Sequence, residues 1–484
     1  MVFSTQIFLF GFMPLCLLAY FVFDRLEHLG KAGEFLKKIR LKDIVLIIFS
    51  FGFYQWTVMT DLYRLIIFIL AVYFIGRCMT AAKKKQKISR AKFIVTAGAV
   101  LILLCLIYYK YSMFLLQIWN SVFRTEIVMN TVFAPLGISF IAFSAISYLT
   151  DIYRGKAENG SLIDCTLFLC FFPKVVSGPI VLWQDFEKMI GKRRHSMEQI
   201  TDGLNRIMIG FAKKVLLADV LGECVASIGT TGIDQITAAG SILLYMLQIY
   251  YDFAGYSDIA IGLAKLFGFD FKENFNFPYR SKSISEFWRR WHISLGTWFR
   301  EYVYFPLGGS RVSRFKTLRN LAVVFALTGI WHGAGWNYIL WGFINGVIVV
   351  VEHMVKDKKF YKKIPDWIKY TFTMVVVLLF WELFRFQSVK DAAVTIGIAL
   401  GAVSAAPVLY TWKYYFDARI IVFALIGIIG ATLFGSERVK KLHQKFISTP
   451  AGYFVQEIVL LVIFAATILF IVNSTYSPFI YFQY

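Results

Sequence analysis

The sequence contains few charged residues for its length. Of 484 residues, 17% are charged and 58% are hydrophobic, whereas soluble domains carry roughly 25% charged residues. So small a charged fraction cannot cover the surface of a globular fold, which excludes a soluble multi-domain protein. Several apolar runs instead reach the ~20 residues with which an α-helix crosses a bilayer core.

Cysteine is scarce, and a signal peptide is missing. The six cysteines form no CxxC pair and no Cys/His cluster with zinc-ligand spacing, so we predict neither a disulfide framework nor a metal site. The N-terminus lacks a basic region and a small-residue cleavage site. We therefore expect its first apolar run, 3–23, to be a retained span.

Basic tails are absent too, although the formal net charge is +21. The basic residues lie in short segments between apolar runs, which indicates contact with anionic lipid headgroups and excludes nucleic-acid binding. The connectors 25–42 and 83–92 each carry six lysines and arginines. A hairpin around Thr60 and Asp61 would place both connectors on one side. The positive-inside rule then predicts cytoplasmic connectors and an extracytoplasmic N-terminus.

The apolar runs predict an all-α, polytopic membrane protein with roughly eleven transmembrane helices plus re-entrant and interfacial helices. We expect one domain over 1–484, with N-terminal spans in 1–130, a catalytic core in 131–355 and C-terminal spans in 356–484. The interrupted runs cluster in the core and no internal repeat is evident, which argues against an inverted-repeat transporter. The first four spans are expected at 3–23, 44–58, 62–80 and 93–112. Further apolar segments, several of them broken or polar, lie near 133–150, 162–182, 204–222, 238–268, 320–351, 370–386, 392–411, 418–434 and 455–473.

The run 245–262 holds ionisable side chains in an apolar setting, where such groups are costly and commonly functional. Gly255 would permit a helix break, and Ser257 or Asp258 could cap a new helix at Ile259. Two interpretations remain open for Asp252 and Asp258. They either line a wet cavity or merely brace the turn.

The segment 281–302 has the periodicity of an amphipathic helix lying in the membrane interface. Trp288 and His292 fall on its apolar arc, and Arg289 and Arg290 on the opposite face. His292 is either functional or a structural histidine bonded to a backbone carbonyl. The basic loop that follows, 306–319, would suit a phosphate-rich ligand such as coenzyme A, although such loops commonly only set topology.

His332 is an ionisable residue in the apolar run 320–343, which predicts a position near mid-span. Thr328 and Trp336 would share its helix face. Gly329, together with the glycines at 333 and 335, would thin the helix around it so that substrate or water could approach. A purely structural histidine is the alternative interpretation.

Ten short sequence blocks recur in one known family. They are 1–4 (MVFS), 135–140 (PLGISF), 151–155 (DIYRG), 172–179 (FPKVVSGP), 248–258 (QIYYDFAGYSD), 274–279 (NFNFPY), 287–295 (FWRRWHISL), 305–309 (FPLGG), 328–334 (TGIWHGA) and 478–484 (PFIYFQY). In these blocks the chain resembles the membrane-bound O-acyltransferases, and among them the bacterial branch that O-acetylates alginate. The resemblance covers essentially the whole chain.

The resemblance implies a multi-helix fold around a central tunnel, in which a cytoplasmic acyl donor meets an extracytoplasmic acceptor. It implies that His332 is catalytic and that His292 is a second functional histidine. The neighbouring residues of these blocks become candidates for binding the donor or lining the tunnel: Asp252, Tyr256, Asp258, Trp288, Arg289, Arg290 and Trp331.

We therefore predict an O-acetyltransferase of the bacterial cell membrane that uses acetyl-CoA as co-substrate and no bound cofactor. His332 would act as general base, and His292 would orient the thioester or stabilise charge on its carbonyl oxygen. The resemblance also implies an extracytoplasmic partner, an SGNH-hydrolase-like acetyltransferase, and a polysaccharide acceptor such as alginate, peptidoglycan or another cell-wall polymer. D-alanyl transfer to teichoic acid and a transporter or flippase are the alternatives.

Overall fold

The computed structural model describes residues 3–56, 61–193, 195–404 and 407–473. Over these ranges the chain is helical, with one isolated bridge between Ile233 and Tyr410 and no β-strand. The all-α prediction is confirmed. Thr60 of the predicted hairpin, Met1 and Val2 of the first sequence block and the closing block 478–484 lie outside the described residues.

The first part of the chain opens with a π-helix, Ile7–Phe12, that runs directly into α1. The α-helices that follow in chain order are α1 (Met13–Leu26), α2 (Gly30–Ile39), α3 (Leu41–Gln55), α4 (Asp61–Lys84), α5 (Ile88–Phe123), α6 (Ile138–Arg154), α7 (Leu162–Cys170), α8 (Phe172–Val175) and α9 (Trp183–Met189).

The second part contains a π-helix, Lys213–Asp219, between α10 and α11. Its α-helices are α10 (Met197–Ala212), α11 (Val220–Ser227), α12 (Gln235–Leu266), α13 (Ile284–Arg290), α14 (Ile293–Phe299), α15 (Arg314–His332), α16 (Trp336–Val355), α17 (Lys359–Lys363), α18 (Asp366–Arg385), α19 (Val389–Ala399), α20 (Trp412–Tyr415), α21 (Ala418–Thr432), α22 (Glu437–Ile447) and α23 (Pro450–Asn473).

Seven helices of the described chain are long and apolar enough to cross a membrane, which confirms a multi-pass membrane protein. Several other predicted spans form shorter pieces. The run 162–182 divides into α7 and α8 just before Pro173, which cannot continue a helix hydrogen-bond ladder. The seven are Ile7–Leu26, Asp61–Lys84, Ile88–Phe123, Trp336–Val355, Asp366–Arg385, Ala418–Gly435 and Pro450–Asn473.

The chain forms two compact units. One comprises residues 1–207 and 259–272, and the other comprises 208–258 and 273–484. All nine candidate site residues belong to the second unit, which therefore contains the whole candidate site. The partition into one catalytic core flanked by terminal spans stays a prediction.

The predicted break in α12 is wrong, because the helix runs unbroken through Gly255. A Cβ at this glycine would lie 2.7 Å from the carbonyl oxygen of Gly210 and 2.9 Å from the amide nitrogen of Lys214. Gly255 therefore lets two helical segments touch at their backbones. Neither Ser257 nor Asp258 caps a new helix.

The predicted continuous helix over 281–302 is also wrong. Two seven-residue helices, α13 and α14, are separated at Trp291 and His292, and His292 has φ = 45°. Residues 274–276 explain this division. The Ile293 amide donates to the carbonyl of Asn274 at 2.9 Å, and the Asn276 amide donates to the carbonyl of Arg290 at 3.0 Å.

Candidate active site

His332 is the last residue of α15, at the tip of a helical hairpin, and the run 320–343 is therefore not one continuous helix. Residues 333–335 join α15 to α16, and Trp336 belongs to the second helix. The two helices cross at glycine, since a Cβ on Gly329 would lie 2.9 Å from the Cα of Gly342. This backbone contact holds the hairpin closed.

The turn after His332 has no room for extra atoms. A Cβ on Gly333 would lie 2.2 Å from the ring of Tyr338. The side-chain amide of Asn337, which is 1% exposed, donates to the carbonyls of Leu383 at 3.1 Å and Phe386 at 3.0 Å. The start of α16 is thus fastened to the end of α18, which fixes the backbone that carries His332.

Aromatic rings surround the imidazole of His332, which is 5% exposed. Its ring centroid lies 4.9 Å from that of Trp331, 5.1 Å from that of Trp341 and 4.8 Å from that of Phe384. These three rings meet the imidazole at steep angles and shield it from solvent. A proton transfer at this histidine would take place in a low-dielectric setting.

His292 is 3% exposed, and its contacts are polar on one side and aromatic on the other. Its Nδ1 lies 3.0 Å from Oδ1 of Asn274, and its ring centroid lies 4.7 Å from that of Phe253. Burial lowers the pKa of His292 to about 3, so the imidazole is neutral at physiological pH. The sequence predicted that His292 lies on the apolar face of an interfacial helix. In the structure it is instead buried, between α13 and α14.

Trp331 joins the two histidines. Its ring centroid lies 6.2 Å from that of His292 and 4.9 Å from that of His332, which follows it in the chain. Trp288 packs at 5.2 Å against Trp341, a neighbour of His332, and its Nε1 donates to Oδ1 of Asn345 at 3.2 Å. The structure thus brings four of the candidate residues into one buried aromatic cluster.

The two candidate aspartates pair with lysines of the preceding π-helix. Oδ1 of Asp252 lies 2.7 Å from Nζ of Lys214, and Oδ2 of Asp258 lies 2.6 Å from Nζ of Lys213. Tyr256, between them on α12, is 1% exposed. These contacts give the carboxylates charge partners that the sequence spacing did not predict.

The two candidate arginines have different surroundings. Arg289 is exposed, whereas Arg290 is half-buried and its guanidinium lies 2.9 Å from Oε1 of Glu286. Arg290 also donates to the carbonyl of Asn276 at 3.1 Å. Arg290 therefore braces α13 against the segment that precedes it, and Arg289 is the one open to a ligand.

Asn274 is a further candidate site residue, and the sequence interpretation missed it. It is fully buried, and its side chain contacts His292, Ser294 and Ser257. Its signal in the sequence was weak. It is an amide at the start of the aromatic block 274–279, 18 residues from the histidine that it contacts.

Comparisons with known proteins show the family of this chain. The model of the MBOAT family, the membrane-bound O-acyltransferases, matches residues 53–365, which include every candidate residue. The protein of Azotobacter vinelandii named "Probable alginate O-acetylase AlgI" is 33% identical over 522 aligned residues, covering 100% of both chains.

Two further relatives have other names. The peptidoglycan O-acetyltransferase of Helicobacter pylori is 30% identical over 428 residues, which cover 81% of this chain and 78% of the relative. The teichoic acid D-alanyltransferase of Streptococcus thermophilus is 31% identical over 240 residues, covering 46% of this chain and 58% of the relative. The acetyl-transferring relatives thus match more of the chain.

Proposed function

This chain belongs to the membrane-bound O-acyltransferase family, and we propose that it passes an acetyl group from a cytoplasmic donor towards an extracytoplasmic polymer. Family membership makes it an O-acyltransferase, in place of the transporter that was the alternative. The observation that carries the proposal is the convergence of His332 and His292 on Trp331 within one buried cluster.

The proposed reaction is attack of a hydroxyl oxygen on the carbonyl carbon of an acetyl thioester. The new C–O bond forms, the C–S bond breaks, and the hydroxyl proton must pass by way of a base to the departing thiolate. We assign this base to His332. Its aromatic surroundings exclude water, which would otherwise hydrolyse the thioester.

The donor that we propose is acetyl-CoA. The exposed guanidinium of Arg289 and the exposed arginines 311, 314 and 319 offer forked donors to its phosphates. Trp288, Trp331 and Tyr256 line the predicted tunnel, and the ion pairs of Asp252 and Asp258 hold its wall. The proposed membrane is the bacterial cell membrane, with the N-terminus outside.

The acceptor that we propose is a polysaccharide such as alginate, peptidoglycan or another cell-wall polymer, reached through a separate SGNH-hydrolase-like acetyltransferase. The names of the two acetyl-transferring relatives support acetyl over D-alanyl transfer, because those relatives match more of the chain than the D-alanyltransferase does. D-alanyl transfer from a carrier protein is the second candidate, and it would use the same site.

Labelled acetyl-CoA tests the proposal. Membranes with the wild-type chain should release CoA and move label into the polymer fraction in the presence of the partner. We expect His332→Ala to reduce transfer by about 10²–10⁴-fold, the usual contribution of a general base. His443→Ala is the matched control, because His443 is exposed on α22 and its Nε2 lies 2.8 Å from Oε1 of Gln456, outside the aromatic cluster around His332.

The outcomes separate the candidates. Transfer from acetyl-CoA that needs His332 but not His443 supports the proposal. Full transfer in His332→Ala, at wild-type expression, would remove His332 from the mechanism. Transfer of label from a D-alanyl carrier protein, with none from acetyl-CoA, would instead establish the second candidate.

A further inference from the structure

The side-chain amide of Asn274 has only one orientation that its neighbours permit. Its oxygen lies 3.3 Å from the backbone amide nitrogen of Ser294 and 2.9 Å from the Ser294 hydroxyl. Its nitrogen lies 3.0 Å from Oγ of Ser257. Rotating the amide by 180° would set its NH₂ group against the N–H of Ser294, two donors facing each other. The oxygen therefore faces α14.

This orientation fixes the proton on His292. The atom 3.0 Å from Nδ1 of His292 is the Asn274 oxygen, which can only accept a hydrogen bond. Nδ1 must consequently carry a hydrogen. In a neutral imidazole the other nitrogen, Nε2, then has a lone pair and no hydrogen.

The second ring nitrogen of His292, Nε2, is buried. Within the described residues, Nε2 of His292 has no hydrogen-bond partner, and it is also inaccessible to bulk solvent. Buried polar atoms in native proteins are normally bonded, so an orphaned one needs an explanation. Burial disfavours the imidazolium and lowers the pKa of His292 to about 3. Protonation of Nε2 at physiological pH therefore does not explain its missing hydrogen-bond partner.

We propose that Asn274 is a positioning residue that holds His292 in the Nδ1–H form, and that Nε2 accepts a hydrogen bond from an N–H or O–H group of a substrate. The inference rests on the proposed function for the identity of that substrate. The group is either the attacking hydroxyl or an amide N–H of the acyl donor. Both present the same chemistry to Nε2.

An Nδ1–H imidazole at His292 excludes one of the two roles considered for it, the stabilisation of charge on the thioester carbonyl oxygen. A developing oxyanion on the thioester carbonyl needs a hydrogen-bond donor. Nε2 in this form is an acceptor and cannot stabilise that charge. His292 instead aligns a donor group of the substrate, and the oxyanion must be stabilised by another group.

Solid-state NMR of the full chain in lipid, with ¹⁵N- and ¹³C-labelled histidine, tests the proton position without any assay. The chain has six histidines, so the His292 signal is assigned by difference from His292→Gln. We expect the wild-type signal to have a protonated Nδ1 and an unprotonated Nε2. A protonated Nε2 would overturn the proposal, whatever the activity of the enzyme.

Variants of Asn274 test positioning. Asn274→Leu should shift His292 towards the Nε2–H form and lower acetyl transfer by about 10- to 100-fold, as loss of an orienting partner does elsewhere. The loss falls on kcat if Nε2 holds the hydroxyl, and on the KM for acetyl-CoA if it holds the donor's amide. Unchanged spectra with unchanged kinetics would contradict the proposal.

Asn274→Asp is the conservative variant. Its carboxylate still accepts from Nδ1, so the Nδ1–H form should persist, and the added charge should raise the pKa of His292. As the pH is lowered, protonation removes the Nε2 lone pair. Acetyl transfer by Asn274→Asp should therefore be lost at a higher pH than acetyl transfer by the wild type. Asn320→Leu, which replaces an equally buried asparagine that bonds the carbonyls of Leu307 and Gly309, should leave the His292 signal unchanged.

Discussion

At the scale of single residues, the lysines beside α12 explain how two aspartates are tolerated in an apolar helix. Lys214 and Asp252 are nearly inaccessible, with side chains 2% and 1% exposed, and Asp219 lies 2.6 Å from the same ammonium group. A buried charge is stable only with a partner and good geometry. The stability of each of these three charged side chains therefore depends on the other two.

Asp252→Asn should destabilise the protein, because the Lys214 ammonium would lose one of its two carboxylates. Breaking a buried pair costs about 3–5 kcal/mol, and we expect a value near the lower end since Asp219 remains. Asp258→Asn is the comparison. Its own carboxylate is 5% exposed, but its partner Lys213 is 30% exposed. The ammonium group left behind stays partly solvated, so the loss of stability should be smaller than for Asp252→Asn. Denaturant unfolding in detergent measures both, and equal losses would contradict this ranking.

The sequence singles out the two central histidines as candidates but does not predict their surroundings. His332 and His292 stand out because ionisable residues are rare in apolar runs. Asn274 does not stand out, because its importance comes from one contact, the 3.0 Å approach to His292 across 18 residues of chain. A contact of that kind depends on where the backbone turns, which residue types alone do not specify.

At the scale of helices, several terminal spans were predicted well, but the run 392–411 forms only the short helix Val389–Ala399, and the central helices were not predicted. The runs 370–386 and 418–434 became Asp366–Arg385 and Ala418–Gly435, because hydropathy and length are local properties. The continuity of α12 at Gly255 and the break at His292 are not local. Each depends on a backbone contact with a segment elsewhere, namely Gly210 for α12 and Asn274 for His292.

The crossing of α15 and α16 yields a prediction about the hairpin that carries His332. A Cβ on Gly342 would lie 2.7 Å from the carbonyl oxygen of Phe325 and 2.8 Å from the Cα of Gly329. Backbone cannot swing aside as a side chain can. Gly342→Ala should therefore force the helices apart, cost about 1–3 kcal/mol of stability, and reduce acetyl transfer by displacing His332.

Gly52→Ala in α3 is the control for the added methyl group. A Cβ there meets nothing within 4 Å, and alanine is the better helix former by up to about 1 kcal/mol. Thermal unfolding and the acetyl-transfer assay should both be close to wild type for this variant. A Gly342→Ala protein as active as Gly52→Ala would show that the hairpin tolerates a wider crossing.

At the scale of the whole molecule, composition predicted the class of protein, a multi-pass membrane protein. Composition did not predict the polymer acceptor. A chain with 58% hydrophobic residues belongs in a membrane, and seven of its described helices are long and apolar enough to cross one. Recognition of a particular polymer requires a few polar contacts in a defined geometry. Such contacts leave no mark on hydropathy, and the relatives with assigned names differ in the polymer named.

Membrane orientation is the prediction that belongs to this scale. Helix α5 has 36 residues, a length of about 54 Å at 1.5 Å per residue, so its two ends lie on opposite sides of a core of ~30 Å. Lys85 precedes it within the basic connector 83–92, and Val128, which is 91% exposed, follows it. The positive-inside rule places Lys85 in the cytoplasm and Val128 outside.

Single cysteines at these positions, in a chain whose six native cysteines are replaced, test that orientation. In intact cells a membrane-impermeant maleimide should label Val128→Cys and not Lys85→Cys, and permeabilised cells should label both. The reverse pattern would place the basic connector outside and the N-terminus in the cytoplasm. Labelling of both positions in intact cells would mean that α5 does not cross the membrane, because one crossing must separate its two ends.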